Sequence, residues 1–215
     1  NFKSKVPTQT ATKITRCNLQ RGMTYVELIV VLSIFAVMAS VVIFDYGAFQ
    51  SRVDIKVLAS DIALKIVEAQ KASLTGKLPA RTYNFSTWKP SYGIYFSIDT
   101  SNERKSFIYF TDLDQLGDYT SSTSCPGLNN STNECLDQIS ITKGNSISEL
   151  KVVGDGCPGV VTNLNVVFKR PESGVIITSS PALSCDISFT EISVASPEGS
   201  SASIRVYPSG RIQIN

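Results

Sequence analysis

Glu27 is the side chain whose chemistry most needs explaining. It is the one carboxylate in the stretch Gly22-Met-Thr-Tyr-Val-Glu-Leu-Ile-Val-Val-Leu-Ser-Ile-Phe-Ala-Val-Met-Ala-Ser-Val-Val-Ile-Phe44, and no charge follows it from Leu28 to Phe44. A run of that length and composition reads as a helix able to cross a bilayer, which takes about 20 apolar residues. An unpaired charge buried in such a setting costs several kcal/mol. Placing it in the first turn of a helix returns about 1 kcal/mol or less. Glu27 therefore needs a cationic partner. The alternative is a single-pass anchor in which the acid reaches back to water.

Three further groups could do chemistry. Asp112-Leu-Asp114-Gln-Leu-Gly117-Asp118 sets three carboxylates and a glycine in one short segment. Alternating oxygen donors around a glycine turn are how loops wrap calcium. Leu116 interrupts the pattern and no glutamate closes it at the usual distance, so a solvated turn is the plainer reading; no cofactor is expected, with calcium as the alternative. Cys125, Cys135, Cys157 and Cys185 follow the apolar run, whereas Cys17 precedes it. In an oxidising compartment four cysteines make two disulfides, with three connectivities open. Pairing Cys125 with Cys135 and Cys157 with Cys185 is favoured because each closes a short loop. Arg205 and Arg211, with Lys169 and Arg170, could line a basic strip. Glu191 and Glu198 oppose it, and ordinary exposed strand residues or a nucleic-acid contact are the two readings.

Histidine is absent. Triads, general bases and metal sites that depend on imidazole are thereby excluded, and no nucleophile–base pairing is visible. The expectation is a protein that is not an enzyme.

The elements that would position these groups follow from charge and period. Lys3, Lys5, Lys13, Arg16 and Arg21 precede the apolar run with no acid among them; the remaining 15 of 20 bases face 18 acids. A basic segment before an apolar span is the positive-inside arrangement, leaving the C-terminal part exported. Val53, Val57, Leu58, Ile62, Ile66, Ala69 and Leu74 continue a helical stripe beyond the span. Gly76 and Pro79 supply a stop. One helix over about residues 24–75 is expected. Beyond it, short β-branched segments at 92–98, 106–111, 138–142, 164–168, 175–178, 187–194, 202–207 and 211–214 predict an antiparallel sheet, with hairpins at 99–103 and 208–210. Residues 112–137 and 154–163 read as loops. Trp88, Tyr92, Tyr95, Phe96, Tyr109 and Phe110 read as sheet core. The fold class is α+β: a long N-terminal helix, apolar in its first half and amphipathic in its second, packed on an antiparallel head.

Gly22-Met23-Thr24-Tyr25-Val26-Glu27-Leu28 resembles the prepilin cleavage and methylation motif of type IV pilins and type II secretion pseudopilins. Met23 stands where the family most often has Phe, and Phe44 where many members have a helix-kinking Pro. The order of helix, strands and a closing Ser209-Gly210-Arg211-Ile212 is similar to the H-type minor pseudopilins. The resemblance implies a leader over 1–22, an assembly and transmembrane half-helix over 23–49, and a pilin-like head over 50–215. It implies cleavage after Gly22 by a prepilin peptidase, methylation of the new Met23 amine, and pairing of that amine with Glu27 of a neighbouring subunit. A glycine at the cut lets a protease approach the backbone closely. The implied partners are other pilin or pseudopilin subunits, and the implied location is the bacterial inner membrane with the head outside, then a filament. A DNA-binding minor pilin and a signal-anchored secreted protein are the alternatives.

Overall fold

The computed structural model describes residues 22–78, 90–120, 125, 133–169 and 174–215, with the side chains of 42–45 and 48 left aside. Cys17, Pro79, Trp88 and Arg170, each singled out above, lie outside them. Two compact units divide the chain, Asn1–Phe44 and Asp45–Asn215.

Helix α1 is Tyr25–Thr75. It begins where Thr24 can cap it: the Glu27 N–H donates to Thr24 Oγ1 at 3.3 Å and the Leu28 N–H to the Thr24 carbonyl at 3.1 Å. Thr-x-x-Glu is the sequence of a capping box, with the acid in the first turn favoured by the helix dipole. It ends at Gly76, whose φ of 62° favours a residue without a side chain. There the Gly76 N–H donates to Ser73 O and the Lys77 N–H to Ala72 O. This is a Schellman closure, which satisfies two of the carbonyls a helix end orphans.

In the first unit the apolar side chains are uncovered. Those of Met23, Tyr25, Val26, Leu28 and the others up to Val41 are 44–78% exposed. Among the described residues no helix is long and apolar enough to cross a membrane; the described side chains of the apolar run stop at Val41.

The second unit holds two five-stranded antiparallel sheets. The first has the order β3-β2-β1-β6-β7, from β1 (Ser91–Ser97), β2 (Ser106–Asp112), β3 (Cys135–Ser140), β6 (Asn163–Phe168) and β7 (Val175–Ser180). The second has the order β10-β9-β8-β4-β5, from β4 (Ser146–Asp155), β5 (Gly159–Val161), β8 (Asp186–Ala195), β9 (Ser201–Val206) and β10 (Ile212–Ile214). A helical part and two sheets make the class α+β, where one sheet was expected. Strand β4 and the small β5 are the additions. β5 lies within 154–163, which reads as a loop in the sequence. In β4 the register with β8 shifts between Ile147 and Glu149 and again between Val153 and Gly154. Each bulge breaks the period-two pattern by which a strand is read.

One apolar core joins the second half of α1 to both sheets. The helix face that enters it is Ile55, Ala59, Ile62, Ala63, Ile66, Ala69 and Ala72. Of the expected stripe, Ile62, Ile66 and Ala69 are buried, but Val53, Val57 and Leu74 are exposed. Alanines at 59, 63, 69 and 72 supply more than half of this buried face. Polar anchors fix the fit: Ser73 Oγ donates to Phe168 O at 2.6 Å, Ser51 and Ser196 share a 2.7 Å hydroxyl bond, and Lys143 meets Asp54 at 2.7 Å. The Lys143 bond holds the Asp54 carboxyl below its ordinary range.

Candidate functional site

Among the described residues, the loop after β2 contributes to the one group of acidic side chains close enough to share an ion. It is positioned by the first sheet. Phe110, Gly93, Val167 and Ile176 pair across four adjacent strands, so their side chains share the face turned away from Tyr109, Ile94 and Val166 in the core. Gly93 is required there, because a Cβ would lie 2.9 Å from the Phe110 ring and 2.9 Å from Val167. The chain leaving β2 folds back over this face. The Tyr119 ring packs tilted against those of Tyr95 and Phe110, with centroids 5.2 Å and 5.4 Å away, the Tyr119 N–H donates to Asn165 Oδ1, and Thr178 Oγ1 donates to Gly117 O at 2.9 Å.

Under this turn three carboxylates converge. Oxygens of Asp112, Asp114 and Glu134 lie within 4.8 Å of one another. Asp112 closes β2. Glu134 immediately precedes β3, and its carbonyl accepts the Thr111 N–H at 3.0 Å. A register shift between Tyr109 and Phe110 sets β3 in this position. The Glu134 carboxylate organises the turn by accepting the N–H groups of Leu113 at 2.9 Å and Thr120 at 3.0 Å. Asp114 accepts the Leu116 N–H at 3.0 Å and the Thr120 hydroxyl at 3.2 Å.

Burial makes the charges costly. Asp112 is 2% exposed and Glu134 1%. Desolvation first, and then the Glu134 charge, raise the Asp112 carboxyl to about 7. Desolvation also raises Glu134, against the two N–H bonds that favour its ionised form. Asp112 Oδ1 is buried with no hydrogen-bond partner, as is Asp118 Oδ1.

Asp112 and Asp114 thus come together, with Glu134 rather than Asp118 as the third member of the group. Glu134 lies at the far end of 112–137, which reads as one loop in the sequence, so no local pattern joins it to Asp112 and Asp114. Its signal was its place beside Cys135, which is bonded to Cys125. The structure pairs Cys125 with Cys135 (Cα–Cα 5.6 Å) and Cys157 with Cys185 (5.0 Å).

Arg205 and Arg211 are occupied locally. Arg205 Nε donates to Glu191 Oε2 at 2.9 Å and its guanidinium lies 4.9 Å from the Phe189 ring centroid. Arg211 lies over Tyr207 at 3.8 Å. Gly22 and Met23 precede the capped helix, and Glu27 is exposed in its first turn.

The chain is 24% identical over 126 residues to a type IV major alpha-pilin of Moraxella bovis, covering 59% of this chain and 79% of that protein. This similarity supports the pilin family. No protein-family model matches the chain, and no solved structure matches it.

Proposed function

We propose that the chain is a structural pilin subunit, cleaved after Gly22 by a prepilin peptidase and methylated on the new amine of Met23. The observation that carries the reading is the motif Gly22-Met-Thr-Tyr-Val-Glu27-Leu at the capped start of α1, followed by apolar side chains that the chain itself leaves exposed. Exposed apolar surface on this scale is an interaction surface. Before assembly, residues 28–44 hold the chain in the bacterial inner membrane with the head outside. In a filament the same residues pack against the helices of other copies.

Glu27 then gains its partner. The methylated amine of Met23 in a neighbouring subunit neutralises it, and a buried pair of this kind fixes axial register. Head-to-tail contacts that do not close give a helical fibre. Val53, Val57, Leu64 and Val67, exposed on the helix face opposite the core stripe, extend the assembly surface toward the head. The subunit serves a type IV pilus or a type II secretion pseudopilus; the similarity to a major alpha-pilin favours the pilus. The role is structural, not catalytic. A DNA-binding minor pilin and a signal-anchored secreted protein are the alternative readings; the second leaves the Gly22–Leu28 motif unused.

Incorporation tests this reading. Sheared surface filaments from cells carrying the wild-type chain or Glu27→Ala are probed for the subunit. The expectation is that both chains are made and cleaved, and that the variant is lost from filaments. Equal incorporation of the two contradicts the pairing of Glu27 with an amine.

A further inference from the structure

Two buried carboxylates, Asp112 and Glu134, meet an exposed third, Asp114, and the buried charges must be compensated. Among the described residues no lysine or arginine forms an ion pair with Asp112, Asp114 or Glu134; the pairs present are Lys65–Glu68, Lys143–Asp54 and Arg205–Glu191. The hydrogen bonds reaching the trio satisfy Glu134 and Asp114 but leave Asp112 Oδ1 orphaned. A buried acceptor with no donor costs about 1–3 kcal/mol, more when it is charged. Asp112 Oδ1 is buried, on a residue whose carboxylate group lies within 4.8 Å of those of Asp114 and Glu134, so that one cation among them would be shared by all three.

We infer that Asp112, Asp114 and Glu134 form a binding site for one calcium-class divalent cation, which ties the end of β2, the following turn and the residue before β3 to a single ion. The donor chemistry selects the class. The three side chains offer only hard oxygens; no histidine exists, and neighbouring Cys135 is held in a disulfide with no thiolate to give. That excludes the N and S donor sets of zinc and copper. Magnesium retains several waters in a strict octahedron, which suits open sites better than one whose Asp112 and Glu134 are almost fully buried. Calcium accepts irregular sets of carboxylates and backbone oxygens, such as a folded turn provides.

The ion would then tie Asp112 and Asp114 to Glu134, the residue next to the disulfide-bonded Cys135. Cation binding does not depend on assembly, so it stands or falls separately from the pilin reading.

Calorimetric titration of CaCl2 into the full chain in detergent, stripped with EDTA, tests the site. Saturable binding of about one ion per chain, with an upward shift of the thermal midpoint, is expected. Asp112→Asn removes the orphaned charge without changing shape and should weaken calcium binding about tenfold or more, since affinity follows ligand charge count. Asp114→Asn, at an exposed position, serves the same purpose should the first variant fold poorly. Asp61→Asn, exposed on α1 away from the turn, should bind as wild type. No saturable calcium binding by the wild type, undiminished binding by both site variants, or tighter binding of MgCl2 than of CaCl2 would overturn the inference.

Discussion

Glu134 reaches from the start of β3 to the end of β2, so that its carboxylate lies within 4.8 Å of that of Asp112. The two acids have opposite circumstances. Glu134 accepts two backbone N–H groups and holds the turn together, whereas Asp112 Oδ1 has no donor at all. The acid with an unpaired buried oxygen is thus also one whose carboxyl is lifted to about 7.

This asymmetry sets a pH dependence. Burial and the Glu134 charge raise Asp112 from an ordinary value of 3.8 to about 7 in the folded chain. The native state then binds more protons than the unfolded state between those values, so stability falls as pH rises through that window. Below it Asp112 is protonated in both states and the contribution is complete. Urea unfolding in EDTA at several pH values, for wild type and Asp112→Asn, isolates the effect as the difference between the two. The variant should gain on the wild type as pH climbs from about 4 to about 7. A constant difference across that range is the contrary result.

Gly93→Ala should destabilise the head by about 1–3 kcal/mol, because overpacking forces neighbours out of place. Its Cβ would meet Phe110 and Val167 at 2.9 Å each, under the turn that carries the carboxylates. A lower denaturant midpoint at unchanged slope would register it. A midpoint equal to wild type would mean that the row of Phe110, Gly93 and Val167 is looser than its geometry.

The two apolar faces of α1 should separate by experiment. Ile66 is fully buried and Leu64 is 66% exposed. Ile66→Ala should cost the head about 2–5 kcal/mol by removing packed methylene groups. Leu64→Ala should cost about 0.5 kcal/mol or less and act instead on incorporation into filaments. Equal losses of stability would merge the two faces into one core.

How far these features were legible in the sequence depended on whether the signal was local. Gly76 announced the end of α1, and Gly210 its hairpin, through chemistry confined to a few residues. The buried helix face was misjudged because Val53, Val57 and Leu74 outweighed Ala59, Ala63 and Ala72 in apolar character, although close packing against strands favours the smaller side chains. Strand β4 was missed because its bulges shift the alternation of Ile147, Leu150 and Val152. Asp112 and Asp114 were visible as an acidic run. Glu134 became part of their site only through strand pairing, which no local pattern records.

The central claim is that the chain is a processed pilin subunit, and the intact mass of the protein extracted from membranes tests it most directly. The account expects a chain beginning at Met23 and carrying one added methyl group on its amine. A chain that still bears residues 1–22 would contradict it.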